Sequence, residues 1–320
     1  MNVALIGYGH VGKAFARLLE RQRARYPFRI VGIHTLRHGT VVDPGGLPLA
    51  PDFGPRMESV EHFLAAAQPE VILEVTSLEP ATGEPAISHI RAAFRRGIHV
   101  VTANKGPIAH AWRQLRDEGA QAQVMFRFES TVMDGAPVFN MLRSNLPAVT
   151  VLGFSGALNS TTKVAIDEMK KGRTMDEGIR VAQKMGIAET DASYDIDGWD
   201  SAAKTAALAN VLMDAGVSPL EVDRRGIGRL TPERIEEMDR KGKTIVLISR
   251  AKRTANGVRL RVRAEVLEKQ DILASVHGTS NILLIDTDLM GTIGTVSISP
   301  SVDQTAYGLF SDLVDIARSL

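Results

Sequence analysis

Cysteine is absent from all 320 residues. That excludes disulfides, thiolate metal sites and a cysteine nucleophile. Aromatic residues are few, at 5%. An excess of either charge is also missing: 38 Lys and Arg stand against 37 Asp and Glu, a formal net charge of +1. So close a balance gives no electrostatic case for nucleic acid or for an anionic membrane. No run of about 18 apolar residues occurs, so no membrane span is expected. The first residues, MNVALIGYGH, lack a basic segment and a cleavage site. No signal peptide is expected there, and a cytoplasmic location follows by default. What is present is ordinary for a soluble chain, 44% hydrophobic and 23% charged, which excludes disorder and collagen-like architecture. The length suits about two domains with a sizeable core.

The first half alternates strand and helix signals. Strands are expected at Val3–Ile6, Phe28–His34, Val71–Val75, Ile98–Thr102 and Gln123–Phe128. Between them lie helix-period stretches at Val11–Arg25, Ser59–Ala67, Glu84–Arg96 and Pro107–Glu118. Residues 37–56 are rich in Gly and Pro and read as loop. This alternation predicts an α/β fold, a Rossmann-type doubly wound parallel sheet covered on both faces. The pattern breaks near Glu129. Helical signals then cluster at Val138–Asn145, Thr162–Lys171, Thr174–Met185 and Trp199–Ala215. Strand-like runs follow at Lys243–Ser249, Val258–Glu265, Ile282–Asp286 and Thr292–Ile298, and an amphipathic helix from Gln304 onward. The second half therefore reads as α+β with a mostly antiparallel sheet. The expected organisation is a dinucleotide-binding domain over 1–130 and a substrate-binding domain over 131–300.

Residues 7–12 read GYGHVG, directly after the strand and opening a helix. Gly7 would allow the tight turn, Gly9 the approach of a pyrophosphate and Gly12 the close packing of helix on strand. The helix start, with Tyr8, His10 and Val11, would offer N–H groups to the phosphates. The bland alternative is a glycine turn with a packing role only. At the end of the second strand, GIHTLRHG (32–39) holds no acidic residue. An acidic group there bonds the ribose 2′-hydroxyl in NAD sites. Arg37 could instead pair with a 2′-phosphate, which favours NADP over NAD unless Arg37 is merely a solvated loop charge.

VTANKGP (101–107) places Lys105 at the carboxyl end of the sheet, where open α/β sheets bind ligands. In GIAETDASYDIDGWDSAAK (186–204), Asp200 and Lys204 are four apart near a helix start and share a face. From spacing alone, a solvated surface ion pair is the ordinary reading of that couple.

The chain resembles the homoserine dehydrogenase family over nearly its full length. The resemblance is carried by GYGHVG (7–12), EVTS (74–77), VTANKGP (101–107), FESTVMDGAPVFN (128–140), GALNSTTK (156–163) and GIAETD…DIDGWDSAAK up to Lys204. The last is the most specific. An acidic residue follows a Gly-x-Ala step, an Asp stands eleven further on, and a Lys four beyond that. The resemblance implies reversible, nicotinamide-linked interconversion of L-aspartate 4-semialdehyde and L-homoserine. It implies a place in the aspartate-derived synthesis of threonine and methionine, a homodimer built through the second domain, and a C-terminal helix at 301–320 that returns to the first domain.

It also implies roles for particular residues. Lys204 would be the general acid in reduction and the base in oxidation. Lys105 would sit near nicotinamide and substrate, as a second donor or proton relay. Glu189 and Asp200 would bind substrate, with Asp195 as a supporting carboxylate. Thr76 and Ser77 would contact the cofactor. A monovalent cation would lie near Glu129, Val132, Asp134 and Ala136, mostly on backbone carbonyls, unless that segment is only a hinge. The chain departs from the family at Ser160, Lys163, Val164 and Ala192. ISPSVDQTAYG (298–308) stands where a glycine-rich loop is usual. No regulatory domain is expected after Leu320. Two other readings stay open: a related dehydrogenase of another amino or hydroxy acid, and a non-catalytic NADP-binding homologue.

Overall fold

The computed structural model describes residues 1–188 and 190–320. It forms two compact units, Met1–Phe139 with Ser301–Leu320, and Asn140–Pro300.

The first unit opens with β1 (Asn2–Ile6), α1 (His10–Gln22), β2 (Arg29–Thr35), β3 (Gly39–Val42) and α2 (Val60–Ala67). It continues through β4 (Val71–Glu74), α3 (Ala86–Phe94), β5 (His99–Thr102), α4 (Lys105–Gln121) and β6 (Phe126–Arg127). The sheet order is β3-β2-β1-β4-β5-β6. Four of its five strand pairings are parallel, as the strand–helix alternation predicts. β3 is a correction. It lies in the stretch read as loop and pairs antiparallel with β2, through a turn at Leu36–His38. Tertiary pairing overrides the local Gly and Pro content there.

Strand residues alternate between two covered faces. Val3, Leu5, Leu73 and Val101 join Phe15 and Leu19 of α1 in one apolar cluster. On the opposite face Gly32 lies against Phe63 and Ala67 of α2, an approach too close for any larger residue. β1 lies between β2 and β4, so the chain reverses its direction of travel across the sheet at the carboxyl end of β1. In open α/β sheets that is where ligands bind.

The second unit begins within α5 (Phe139–Asn145) and holds β7 (Val151–Ala157), α6 (Ser160–Met169), α7 (Met175–Lys184), α8 (Ser193–Ile196) and α9 (Trp199–Met213). Then come β8 (Asp223–Arg224), α10 (Pro232–Arg240), β9 (Lys243–Thr254), β10 (Gly257–Glu268), β11 (Asn281–Thr287) and β12 (Gly291–Ser297). The sheet order is β12-β11-β7-β9-β10-β8. All its pairings are antiparallel except β8 with β10. The sequence reading has no counterpart for β7 or α10. β7 is nevertheless a central strand. α9 is buried on nearly every side, with Ala202, Ala203, Ala206, Ala207 and Ala209 letting neighbours approach closely.

The last helix, α11 (Val302–Ser319), belongs to the first unit. Leu309, Leu313 and Ile316 enter the cluster of β1 and α1. Arg127 pairs with Asp315 at 2.7 Å. Asp312 is fully buried and accepts the Glu129 backbone N–H at 2.8 Å. Among the described residues, no helix is long and apolar enough to cross a membrane. Asp312→Ala orphans a buried donor and should cost about 1–3 kcal/mol. Urea unfolding should show a lower midpoint with an unchanged slope; a wild-type midpoint would contradict the role given to this bond.

Candidate active site

The glycine turn sits at the carboxyl end of β1. Gly7 has φ +99°, and a Cβ there would lie 2.6 Å from the Val75 carbonyl oxygen. Only glycine satisfies both conditions. Gly12 carries the close approach of α1 to the turn, with the Gly7 carbonyl oxygen 3.3 Å from where a Cβ would stand. Gly9 differs. It is the N-cap of α1, has no side chain to cap the helix, and a Cβ there would meet none of the described residues within 4 Å. The first turn, with His10 and Val11, carries no acidic residue. An open, uncapped helix start of this kind suits a phosphate. Tyr8 is buried instead. Its hydroxyl donates to the Leu49 carbonyl at 3.0 Å, so its side chain anchors the 43–54 loop. Arg37 and His38 are exposed in the turn after β2.

A buried carboxylate organises the next turn. Glu74, at the end of β4, is fully buried. Its Oε1 accepts from the Thr76 hydroxyl and, at 3.3 Å, from the Thr76 N–H. Thr102 donates to Oε2 at 3.3 Å, and the His89 ring lies 3.4 Å from Oε1. Asn104 caps α4 and also donates to the Thr76 carbonyl at 3.3 Å. Thr76 is thus held from two sides, with Ser77 exposed beside it. Half-buried Lys105 opens α4. Glu74 and Asn104 escape the sequence reading, although EVTS and TANK contain them. Their signal would have been a polar residue ending an apolar strand run.

In the second unit, Asn159 stands between β7 and α6. Its Oδ1 accepts the Thr162 N–H at 2.8 Å and caps α6. Its Nδ2 donates to Asp195 Oδ1 at 2.6 Å and to Asp200 Oδ2 at 2.9 Å. Asp200 Oδ2 also lies 3.0 Å from Lys204 Nζ, which donates to the Leu158 carbonyl at 2.8 Å. The Asp200 and Lys204 side chains are only 11% and 16% exposed. The solvated surface pair suggested by spacing alone is therefore corrected: the couple is enclosed on a buried helix. Burial first, then the charge of Asp200, pushes the Asp195 carboxyl above its ordinary value. Hydrogen bonds from Asn159 and Thr161, and the charge of Lys204, act the other way. Glu189 lies outside the described residues.

The segment expected to hold a cation follows β6. Glu129 is buried, and its Oε1 accepts the Val138 and Phe139 N–H groups at 2.5 and 2.9 Å. Val132 is buried, Asp134 adopts φ +53°, and the Ala136 N–H donates to the Met133 carbonyl at 2.9 Å. With a Glu129 oxygen committed to the backbone, a cation here would draw on carbonyl oxygens. Among the described residues, no group of three His, Cys, Asp or Glu is placed to hold a metal.

A unit with a doubly wound sheet and an open glycine turn, and a second unit with an enclosed lysine and two carboxylates, define a nicotinamide-dinucleotide-dependent oxidoreductase. Comparison with known proteins narrows this. Residues 7–129 match the homoserine dehydrogenase NAD-binding domain, and 137–314 match homoserine dehydrogenase. The chain belongs to the homoserine dehydrogenase family, whose members oxidise or reduce at a CH–OH group. It is 32% identical to a homoserine dehydrogenase of Methanocaldococcus jannaschii, covering 100% of this chain and 99% of that one. An NAD(+)-dependent homoserine dehydrogenase of Pseudomonas canavaninivorans is 31% identical, over 99% of this chain and 96% of its own. Among solved structures, a hyperthermophilic archaeal homoserine dehydrogenase in complex with NADPH is similar, with TM-score 0.84 and 26% identity. The match covers 100% of this chain and 98% of that one.

The two glycines should separate folding from binding. Gly7→Ala should lower stability by more than about 1 kcal/mol, from its positive φ alone. Gly9→Ala should melt near the wild type yet bind NADPH more weakly, read by cofactor fluorescence; equal binding would contradict the phosphate role. Asp195 gives a pH test. Its raised folded value means that the native state holds the proton more tightly than the unfolded chain. Its contribution is therefore most favourable below the unfolded value and declines as pH rises through the folded one. Asp195→Asn should gain stability relative to the wild type across that rise; a pH-independent difference in melting temperature would refute it.

Proposed function

We propose that the chain interconverts L-aspartate 4-semialdehyde and L-homoserine, with NADP in preference to NAD, and that Lys204 moves the proton. One observation carries this reading: Lys204 Nζ is held at 3.0 Å from Asp200 and 2.8 Å from the Leu158 carbonyl, on a helix otherwise buried. Burying an ammonium and carboxylates costs free energy, and packing alone gives no reason for them there.

When bound, the dinucleotide supplies or accepts the hydride. Reduction of an aldehyde leaves an alkoxide, and Lys204 donates the proton it needs; in oxidation Lys204 removes the proton from the hydroxyl. Asp195 and Asp200, fixed by one amide, orient the substrate's α-ammonium, with Glu189 as a further carboxylate. Gly7, Gly9 and Gly12 with the start of α1 cradle the pyrophosphate. Thr76, Ser77 and Lys105 contact the cofactor. The relatives include both an NAD(+)-dependent enzyme and an NADPH complex. The preference here must therefore come from this chain's own residues. Arg37 in the exposed turn, with no acidic residue over 32–39, supports a 2′-phosphate. A monovalent cation near Glu129, Val132, Asp134 and Ala136 would stiffen that segment. The same reading assigns the chain to a cytoplasmic homodimer in threonine and methionine synthesis.

Initial rates with the semialdehyde, NADPH and NADH side by side, test the proposal. NADPH should give the larger kcat/KM. Lys204→Met should lower kcat by about 10²–10⁴-fold while NADPH binding persists. Near wild-type turnover in that variant would overturn the proton-transfer role.

A further inference from the structure

Lys163 lies on α6, four residues after its N-cap, and is only 5% exposed. Two costs attach to that position. An ammonium is removed from water, and a cation stands near the helix end that carries partial positive charge. Its Nζ donates to the Asn159 carbonyl at 3.0 Å and to Asn281 Oδ1 at 3.0 Å. Asn281 opens β11 and donates to the Thr279 carbonyl at 3.1 Å, which also accepts from the Ser160 hydroxyl at 3.2 Å. Lys163 thereby ties the start of α6 to the segment entering β11.

The Asn159 carbonyl is the neighbour of the one that Lys204 holds. Lys204, from α9, takes the Leu158 carbonyl; Lys163, from α6, takes the Asn159 carbonyl. Two lysines on two helices grip successive peptide groups, and from the second of these projects the amide that joins Asp195 to Asp200. We infer that Lys163 is a positioning residue for substrate binding. It fixes the main chain of Asn159, and through that amide it sets the spacing of the two carboxylates that receive the substrate's ammonium group. This rests on the reading given under Proposed function.

The test is a double-mutant cycle on the full-length chain, with steady-state kinetics on homoserine and NADPH binding measured separately. Lys163→Met preserves length without charge. Lys163→Gln keeps a donor and serves if the first variant folds poorly. Asn159→Ser can still cap α6 but loses the bridging amide. Lys163→Met should raise the KM for homoserine by about tenfold, because misplaced binding groups lose much of their effect. kcat should change far less and NADPH binding not at all. The double variant should be little worse than Asn159→Ser alone, because both act through one amide. A purely structural role would reduce the active fraction, and so kcat, at constant KM. That outcome, or additive effects in the double variant, overturns the inference. An active wild type with an unaffected Lys163→Met overturns this inference alone. A wild type inactive on homoserine overturns the parent reading and this one with it.

Discussion

One amide joins two enclosed carboxylates, and one of these pairs with the Lys204 ammonium. Asn159 spends its oxygen on the first turn of α6 and both N–H groups on Asp195 and Asp200. Such full use of a side chain's hydrogen-bonding capacity is what makes a buried polar cluster tolerable. Without it, Asp195 and Asp200 would repel each other with no shared donor. Lys204 would then lose a fixed partner. The backbone supports the same arrangement, because the chain leaving β7 presents its Leu158 carbonyl to Lys204 as Asn159 turns into α6. Position, burial and charge are therefore set together by the strand-to-helix junction at 158–160.

The first unit solves a different problem, the recognition of a dinucleotide by backbone. Gly7 is demanded by conformation and by the Val75 carbonyl, whereas among the described residues nothing would meet a Cβ at Gly9. A glycine that folding does not require, at an uncapped helix start, marks room kept for another molecule. Glu74 and Asn104 then hold the Thr76 turn without reaching outward themselves. Rigid support behind an exposed contact is the usual way to keep a binding geometry without spending exposed charge on it.

Much of the fold is legible along the chain because α/β alternation leaves strong signals. The strands of the first sheet other than β3 are short apolar runs, and α1 and α2 follow from periodicity. β7 escapes for a specific reason. Gly153 and Gly156 interrupt its pattern, yet a Cβ at either would lie 2.6 or 2.8 Å from the carbonyl oxygens of Ala251 and Ile282. Those glycines answer to neighbouring strands, and only the folded sheet reveals that. β3 is hidden in a Gly- and Pro-rich stretch because pairing with β2 decides it. α10 carries a Thr-Pro start with Ile235 and Met238 one turn apart, a local signal that the sequence reading passes over. Within the site, the four-residue spacing of Asp200 and Lys204 shows that they share a face. It does not show that the face is buried. The bridging function of Asn159 spans 36 and 41 residues of sequence and has no local trace.

The most direct test of this account is a crystal structure of the chain with homoserine and the oxidised cofactor bound. Lys204 Nζ should lie within hydrogen-bond distance of the homoserine hydroxyl oxygen, with the substrate's ammonium on Asp195 and Asp200. Homoserine bound elsewhere, with Lys204 still on the Leu158 carbonyl and both aspartates still facing only Asn159, would contradict it.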